Sequence, residues 1–367
     1  RHKKWFFAGF FIAFLFNLGL IVYGMEYRFT DFPAFYYAAK AILDPTLPNA
    51  AVYSQEIKNV ILTQKGLQAT GDSFVYSVPA AYVLAPLGLL PYVAAKTVFS
   101  LISLVLYIIG VVIVVRYLAG VSGNHLVGIL MLALLWAPFI DNQTWNQTNG
   151  IIFFILVVAV WLAVVNRPYL GGAVFAVACL FKLFPIIVAL ALGVKNWRIP
   201  AACVAVLGAS FLIPGSVEWF TALDSNLHRL YSVFYKLGLV WYGIIVAAAG
   251  SLTFWLIYRY RNADHALIAS LALFLFPVVL PINETHQMTL LVFGIAYFLA
   301  LEPPRWFSGL LVGAFILMTA YYLALTPNVS IDVFTVGAAA IWSFVVFYLL
   351  RQKPLMLRRE PSKAPSV

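Results

Sequence analysis

The chain of 367 residues is 63% hydrophobic and only 10% charged, with a mean hydropathy of +0.95 and a formal net charge of +10. This composition excludes a soluble globular protein, and the apolar segments lack the alternation of apolar and polar residues that a β-barrel needs. The basic residues are scattered through short loops instead of forming a patch, so they indicate membrane topology and no nucleic-acid partner.

Apolar segments of about 20 residues can cross a bilayer as helices, and they predict an all-α, polytopic membrane protein of about 12 transmembrane helices. Residues 77–90 are too short to span and predict a re-entrant or surface helix. Residues 169–195 predict two short helices that meet at Lys182–Pro185, since one continuous helix would place the lysine in mid-membrane. The remaining predicted spans lie near residues 5–25, 92–115, 124–140, 150–166, 199–213, 239–258, 264–281, 287–301, 305–325 and 332–350.

Lysine and arginine positions place both termini in the cytoplasm, because cytoplasmic loops carry an excess of these residues. A single transmembrane domain is expected over residues 1–350, followed by a basic cytoplasmic tail over 351–367. Two large loops, 26–91 and 214–236, then lie on the extracytoplasmic side together with most of the carboxylates. The sequence therefore predicts that any chemistry takes place on the outer face.

Asp31 directly follows the first span and stands before the aromatic pair Tyr36 and Tyr37. A carboxylate at a membrane surface is costly to desolvate and is often functional. The alternative is a carboxylate that merely ends a helix or lies at the interface.

The run 141–149 is unusually rich in amide side chains for a connection between two spans. Trp145, Gln147 and Asn149 in this run suit a polyhydroxyl ligand, because aromatic rings stack on sugar faces and amides bond hydroxyl groups. An ordinary polar loop is the alternative.

Three basic side chains near the outer face are candidate partners for an anionic group. Lys182 at the helix break needs an anion or a water-filled cavity, unless it simply snorkels to the surface. Arg229 lies on a short amphipathic segment of the second outer loop, where a solvated charge is the alternative. His286 ends the segment Pro281–His286, and a lone histidine is more often structural than a ligand.

Motifs for other chemistries do not occur. The sequence has no HExxH, Cys/His-cluster or EF-hand pattern, so no metal cofactor is expected. It has no P-loop and no GxGxxG, so no nucleotide-binding domain is expected. Cys179 and Cys203 lie in apolar segments and imply no disulfide framework.

Five short motifs follow one another in the chain: Asp31-Phe32 with Tyr36–Ala39, Phe74–Tyr76 with Pro86–Pro91, Asn146–Asn149, Lys182–Pro185 and Pro281–His286. In this order they resemble the motifs of glycosyltransferase family 87, membrane enzymes of the GT-C type that use polyprenyl-phosphate-linked sugars, usually mannose. The chain departs from the family pattern where Ser77-Val78 replaces a proline pair, Asn146 replaces a glycine, and Asn283-Glu284 replaces Ser-Trp.

The resemblance implies an inverting transferase of GT-C-like fold in the cell membrane. It would move a hexose from a polyprenyl-phosphate donor to a hydroxyl of a lipid- or glycan-linked acceptor on the extracytoplasmic face. In this family the hexose is usually mannose. Asp31 would be the catalytic base, which suffices because a phosphate is a good leaving group. The donor phosphate would contact Lys182, Arg229 and His286. The sugar or the acceptor would contact Tyr36, Tyr37, Tyr76, Trp145, Gln147, Asn149 and Glu284.

Two other classes of function stay open at this point. A transporter or flippase for a lipid-linked or anionic solute would also use broken helices. An inverted repeat in hydropathy would favour this alternative, and none is seen. A non-catalytic scaffold would not need so many carboxylates and amides on one face.

Overall fold

The computed structural model of the protein describes residues 3–26, 30–64, 74–227, 238–280, 285–324 and 331–352. Within these ranges the regular structure is helical and contains no strand, which confirms the all-α prediction. Arg229 and Glu284 lie outside the described residues, so their roles stay predictions.

The helices fall close to the predicted segments. They are α1 Lys3–Glu26, α2 Phe32–Leu43, α3 Gln55–Gln64, α4 Val78–Gly88, α5 Tyr92–Val112, α6 Asn124–Leu134, α7 Ala137–Thr144, α8 Asn149–Val164, α9 Pro168–Phe181, α10 Ile186–Leu192, α11 Arg198–Ser210, α12 Glu218–Leu227, α13 Leu239–Arg259, α14 His265–Val279, α15 Val292–Ala300, α16 Arg305–Ala324 and α17 Ile331–Arg351. A π-helical turn, Ile113–Leu118, extends α5, and 3₁₀ turns lie at Asn49–Tyr53 and Thr285–Leu291.

Three helices of the described chain are each long and apolar enough to cross a membrane: α1, α5 with its π turn, and α13. Helices α6 and α7 would form a fourth span, bent by 52°. Helices α1 and α13 expose large apolar side chains such as Trp5 and Trp241, as a lipid-facing helix does. Several other apolar helices are shorter than a full span, so the number of about 12 transmembrane helices stays a prediction.

The bend between α6 and α7 corrects one detail of the sequence analysis. Residues 124–140 were expected to form one span followed by a polar loop, but the helix stops at Leu134 and restarts at Ala137. Pro138 stands in the first turn of α7, where its missing N–H costs nothing. As a result Asp141 is on a buried helix, not in a loop.

The break at Lys182–Pro185 is confirmed, because α9 ends at Phe181 and α10 begins at Ile186. Helix α9 is held close to α11 by small residues. A Cβ at Gly172 would lie 2.3 Å from the carbonyl oxygen of Ile199, so only glycine allows this approach. The close packing of α9 against α11 therefore fixes the position of Lys182, which directly follows the last residue of α9.

A second polar cluster holds the start of α14, at the far end of this helix from His286. Asp264 accepts hydrogen bonds from the Leu267 N–H at 2.8 Å and from the Tyr297 hydroxyl at 2.5 Å. Lys195 donates to the carbonyls of Arg261 and Ala263. This cluster joins α10, α14 and α15.

Candidate active site

Asp31 immediately precedes α2, whose first turn contains Pro33. Its N–H donates to the carbonyl oxygen of Trp145 at 3.1 Å. Its half-buried side chain makes no capping hydrogen bond to the helix, so the alternative of a carboxylate that only ends a helix loses support. The carboxylate is instead turned toward another segment of the chain.

That segment is the loop that carries Gln147. The Gln147 side-chain N–H donates a hydrogen bond to Oδ2 of Asp31. The hydroxyl of Tyr76 in turn donates to Oε1 of Gln147 at 3.1 Å. Tyr76 and Gln147 are each 5% exposed. The structure thus joins three predicted site residues, from three distant parts of the sequence, in one hydrogen-bonded chain.

The loop before Gln147 has an unusual backbone conformation. Asn146 has a φ of 53°, in the left-handed region that glycine and asparagine tolerate best. Its side-chain N–H donates to the Ser100 hydroxyl at 2.7 Å, and the Gln147 N–H donates to the Asn142 carbonyl at 2.9 Å. The asparagine that replaces the glycine of the family motif therefore preserves the turn that presents Gln147.

Several buried polar atoms around this loop have no hydrogen-bond partner within the described residues. They are Gln143 Nε2, Asn146 Oδ1, Thr148 Oγ1 and both polar side-chain atoms of Asn149. Buried polar atoms are normally paired with protein or water. Because this set mixes donors with acceptors and carries no charge, it suits water or the hydroxyl groups of a neutral ligand.

Lys182 is connected to the same region through its neighbours. Ser77, which starts α4, donates from both its N–H (3.2 Å) and its hydroxyl (2.8 Å) to the Leu180 carbonyl. The rings of Tyr76 and Phe181 lie 6.4 Å apart in an edge-on arrangement. Proline at position 77 could not make the N–H contact, so this departure from the family motif adds a link between α4 and the end of α9.

His286 lies against a carboxylate that the sequence analysis did not assign to the site. Its Nδ1 is 3.4 Å from Oδ2 of Asp141, and both side chains are 9% exposed. The side chains of Trp136 and Thr289 each donate a hydrogen bond to a main-chain carbonyl of the other segment, and these two bonds hold the 3₁₀ turn against α7. Asp141 stands where the apolar segment ends and the amide-rich run begins, and a carboxylate at the end of an apolar segment is the signal that could have found it.

Tyr36 and Tyr37 are fully buried on α2, and their hydroxyls bond main-chain groups. The Tyr36 hydroxyl donates to the Leu90 carbonyl at 3.0 Å, and the Tyr37 hydroxyl donates to the Val52 carbonyl at 2.7 Å. These contacts brace α2 and indicate a packing role; ligand binding by either tyrosine stays a prediction. The side chain of Trp145 is half-buried.

Among the described residues, one carboxylate is held by an amide beside a set of neutral polar groups, and segments linked to this loop carry a buried histidine–carboxylate pair and a lysine at a helix break. This combination suits proton removal from a hydroxyl beside a polar ligand with an anionic group. No three His, Cys, Asp or Glu side chains of the described residues lie together as metal ligands would. Metal independence stays a prediction.

The chain is similar to a known glycosyltransferase. Over 161 residues the chain is 28% identical to an alpha-(1->3)-arabinofuranosyltransferase of Corynebacterium glutamicum. The alignment covers 40% of this chain and 37% of that protein, so the chain matches well under half of its relative's length. No solved structure matches the chain.

The sequence profile of glycosyltransferase family 87 matches residues 74–282, more than half of the chain. The matched range contains Tyr76, Gln147, Asn149 and Lys182; His286 lies just beyond its end, whereas Asp31 lies well before its start at residue 74. The resemblance drawn from the motifs is thereby confirmed: the chain belongs to glycosyltransferase family 87.

Proposed function

We propose that the protein is an inverting membrane glycosyltransferase that uses a polyprenyl-phosphate sugar as donor and a hydroxyl of a lipid- or glycan-linked acceptor. The observation that carries the proposal is the Asp31 carboxylate, oriented by Gln147 beside a loop of unpaired neutral polar groups. Membership of a glycosyltransferase family favours this reading over the transporter alternative.

The proposed reaction needs one base and one anion-binding group. The Asp31 carboxylate takes the proton of the acceptor hydroxyl while the acceptor oxygen attacks C1 of the donor sugar. The bond between C1 and the phosphate oxygen breaks on the opposite face, and the electron pair leaves with the polyprenyl phosphate. A β-linked donor would therefore give an α-linked product. Lys182 and His286 would balance the negative charge that develops on the leaving phosphate.

Two sugars are candidates for transfer. Mannose follows from the family resemblance, and arabinofuranose follows from the activity of the Corynebacterium relative. The purified full chain should be incubated with polyprenyl-phosphate mannose and with polyprenyl-phosphate arabinofuranose, each together with a lipid and glycan extract of the cell envelope as the source of acceptor hydroxyls, and release of polyprenyl phosphate should be measured. Turnover of either donor supports the function, and the preferred donor identifies the sugar. Release from neither donor would contradict the proposal.

We expect Lys182→Ala to raise the apparent KM for the lipid-linked donor about 10- to 100-fold, the range of a hydrogen bond to a charged group. Lys182→Arg should retain part of the affinity, because a point-charge contact depends more on charge than on shape. Arg198→Ala is the matched control, since Arg198 is an exposed cation stacked on Tyr169. An unchanged donor KM in Lys182→Ala would mean that the lysine snorkels and that Arg229 is the leading phosphate ligand.

The outer-face location of the site is tested by thiol labelling in a chain with Cys179 and Cys203 replaced by alanine. Glu56→Cys and Asn262→Cys introduce exposed thiols in two predicted loops of opposite sidedness. In intact cells an impermeant maleimide should label position 56 and spare position 262, whereas permeabilised cells should be labelled at both. Labelling of position 262 from outside would overturn the proposed topology.

A further inference from the structure

The hydrogen-bonded chain from Tyr76 through Gln147 to Asp31 has a direction that is set by chemistry. An ionised carboxylate only accepts hydrogen bonds, so the Gln147 amide must present its N–H groups to Asp31. Its oxygen then faces Tyr76, whose hydroxyl can donate to it. A reversed amide would set two acceptor oxygens against each other at the carboxylate.

Each member of this chain is itself held in place. The main-chain carbonyl of Tyr76 accepts a hydrogen bond from the Tyr53 hydroxyl at 2.9 Å. The Tyr76 ring packs edge-on against Phe35 at 5.2 Å. The backbone of Gln147 is fixed by its 2.9 Å bond to Asn142. The Tyr76 ring and the Gln147 backbone are therefore each held by the fold, and the Gln147 amide connects the Tyr76 hydroxyl to the Asp31 carboxylate.

We infer that Gln147 and Tyr76 are positioning residues: Tyr76 fixes the orientation of the Gln147 amide, and Gln147 fixes the rotation of the Asp31 carboxylate toward the acceptor hydroxyl. This differs from the direct sugar or acceptor contact that the sequence predicts for both residues. The inference rests on the proposed role of Asp31 as the base. A carboxylate rotated away from the acceptor loses the geometry that proton transfer requires.

A double-mutant cycle distinguishes the two roles. We expect Gln147→Met to lower kcat about 10- to 100-fold, the range of a charge-assisted hydrogen bond, and Tyr76→Phe to lower it about 3- to 10-fold. Neither variant should change the KM of donor or acceptor by a comparable factor. The double variant should be no slower than Gln147→Met alone, because Tyr76 acts only through the amide.

Tyr107→Phe is the matched control, since it removes a buried hydroxyl that donates to the Ala133 carbonyl at 2.9 Å. Its kcat should equal that of the wild type. Two results would overturn the inference: single-variant effects that multiply in the double variant, or losses that appear in KM instead of kcat. Either would mean that the two side chains contact substrate independently.

A second measurement does not depend on turnover. Labelling of Asp31 by dicyclohexylcarbodiimide, measured by peptide mass spectrometry, should be faster in Gln147→Met, because the amide no longer covers Oδ2. It should be intermediate in Tyr76→Phe and unchanged in Tyr107→Phe. Equal labelling of Gln147→Met and wild type would refute the positioning role. Absence of sugar transfer by the wild type would instead count against the proposed function alone.

Discussion

Asp31→Asn should lower kcat by roughly 10²- to 10⁴-fold, the contribution of a positioned general base. Asparagine has nearly the same shape and keeps an oxygen that can accept the hydrogen bond from Gln147, so folding and donor binding should be retained. It cannot take the acceptor's proton. Turnover should be measured with the preferred polyprenyl-phosphate donor, and thermal unfolding of the purified variant should be measured beside it.

Asp44→Asn is the control for this variant. Asp44 stands at the other end of α2 and is exposed, and its hydrogen bonds from Thr46 lower the pKa of its carboxyl. It should leave turnover unchanged. Residual activity of Asp31→Asn above about a tenth of the wild-type value would show that another group removes the proton, since a general base contributes at least about 10²-fold.

Gly172→Val should strongly destabilise the protein, because its side chain would enter the contact between α9 and α11. A Cβ at this position would lie 2.3 Å from the Ile199 carbonyl oxygen and 2.7 Å from the Ala202 Cβ. Main-chain atoms cannot rotate aside, so the helices must separate. Overpacking of this kind costs about 1–3 kcal/mol or more. The melting temperature in detergent should fall, and, if Lys182 binds the donor phosphate as proposed, donor binding should weaken with it.

Gly208→Val on α11 is the matched control, since nothing lies within 4 Å of a Cβ built there. It introduces the same β-branched residue on the same pair of helices without the steric conflict. Its melting temperature should stay close to that of the wild type. Equal melting temperatures for the two valine variants would contradict the close approach of α9 and α11.

Much of the helical framework could be predicted from hydropathy, because bilayer-length apolar segments are a strong signal. The break at Lys182–Pro185 was also predictable, since a lysine followed by a proline does not suit an uninterrupted span. The bend before α7 was not predictable, because the apolar residues continue past it and Pro138 does not mark the end of an apolar segment. The pattern of hydrophobicity continues through the bend, so periodicity alone cannot detect it.

The candidate site was predictable as a set of residues but not as a set of contacts. The motifs identify Asp31, Tyr76 and Gln147, yet the hydrogen bonds between them join segments far apart in the sequence. The pair His286–Asp141 was missed for the same reason, as its two members lie on different elements. The identity of Asn146 is explained by its positive φ and by its hydrogen bond to Ser100, which only the structure reveals.

The hydrogen bond between the Asp31 N–H and the Trp145 carbonyl has a consequence for how specificity can diverge. Because it uses main-chain atoms only, it anchors the carboxylate-bearing residue regardless of which side chain occupies position 145. A substitution there can reshape the surroundings of the half-buried indole while the anchor stays intact. If Asp31 is the base and Trp145 contacts the sugar, as proposed, then sugar selectivity and proton removal depend on two different segments joined through the main chain, so a descendant of this chain could exchange its substrate without rebuilding its reaction centre.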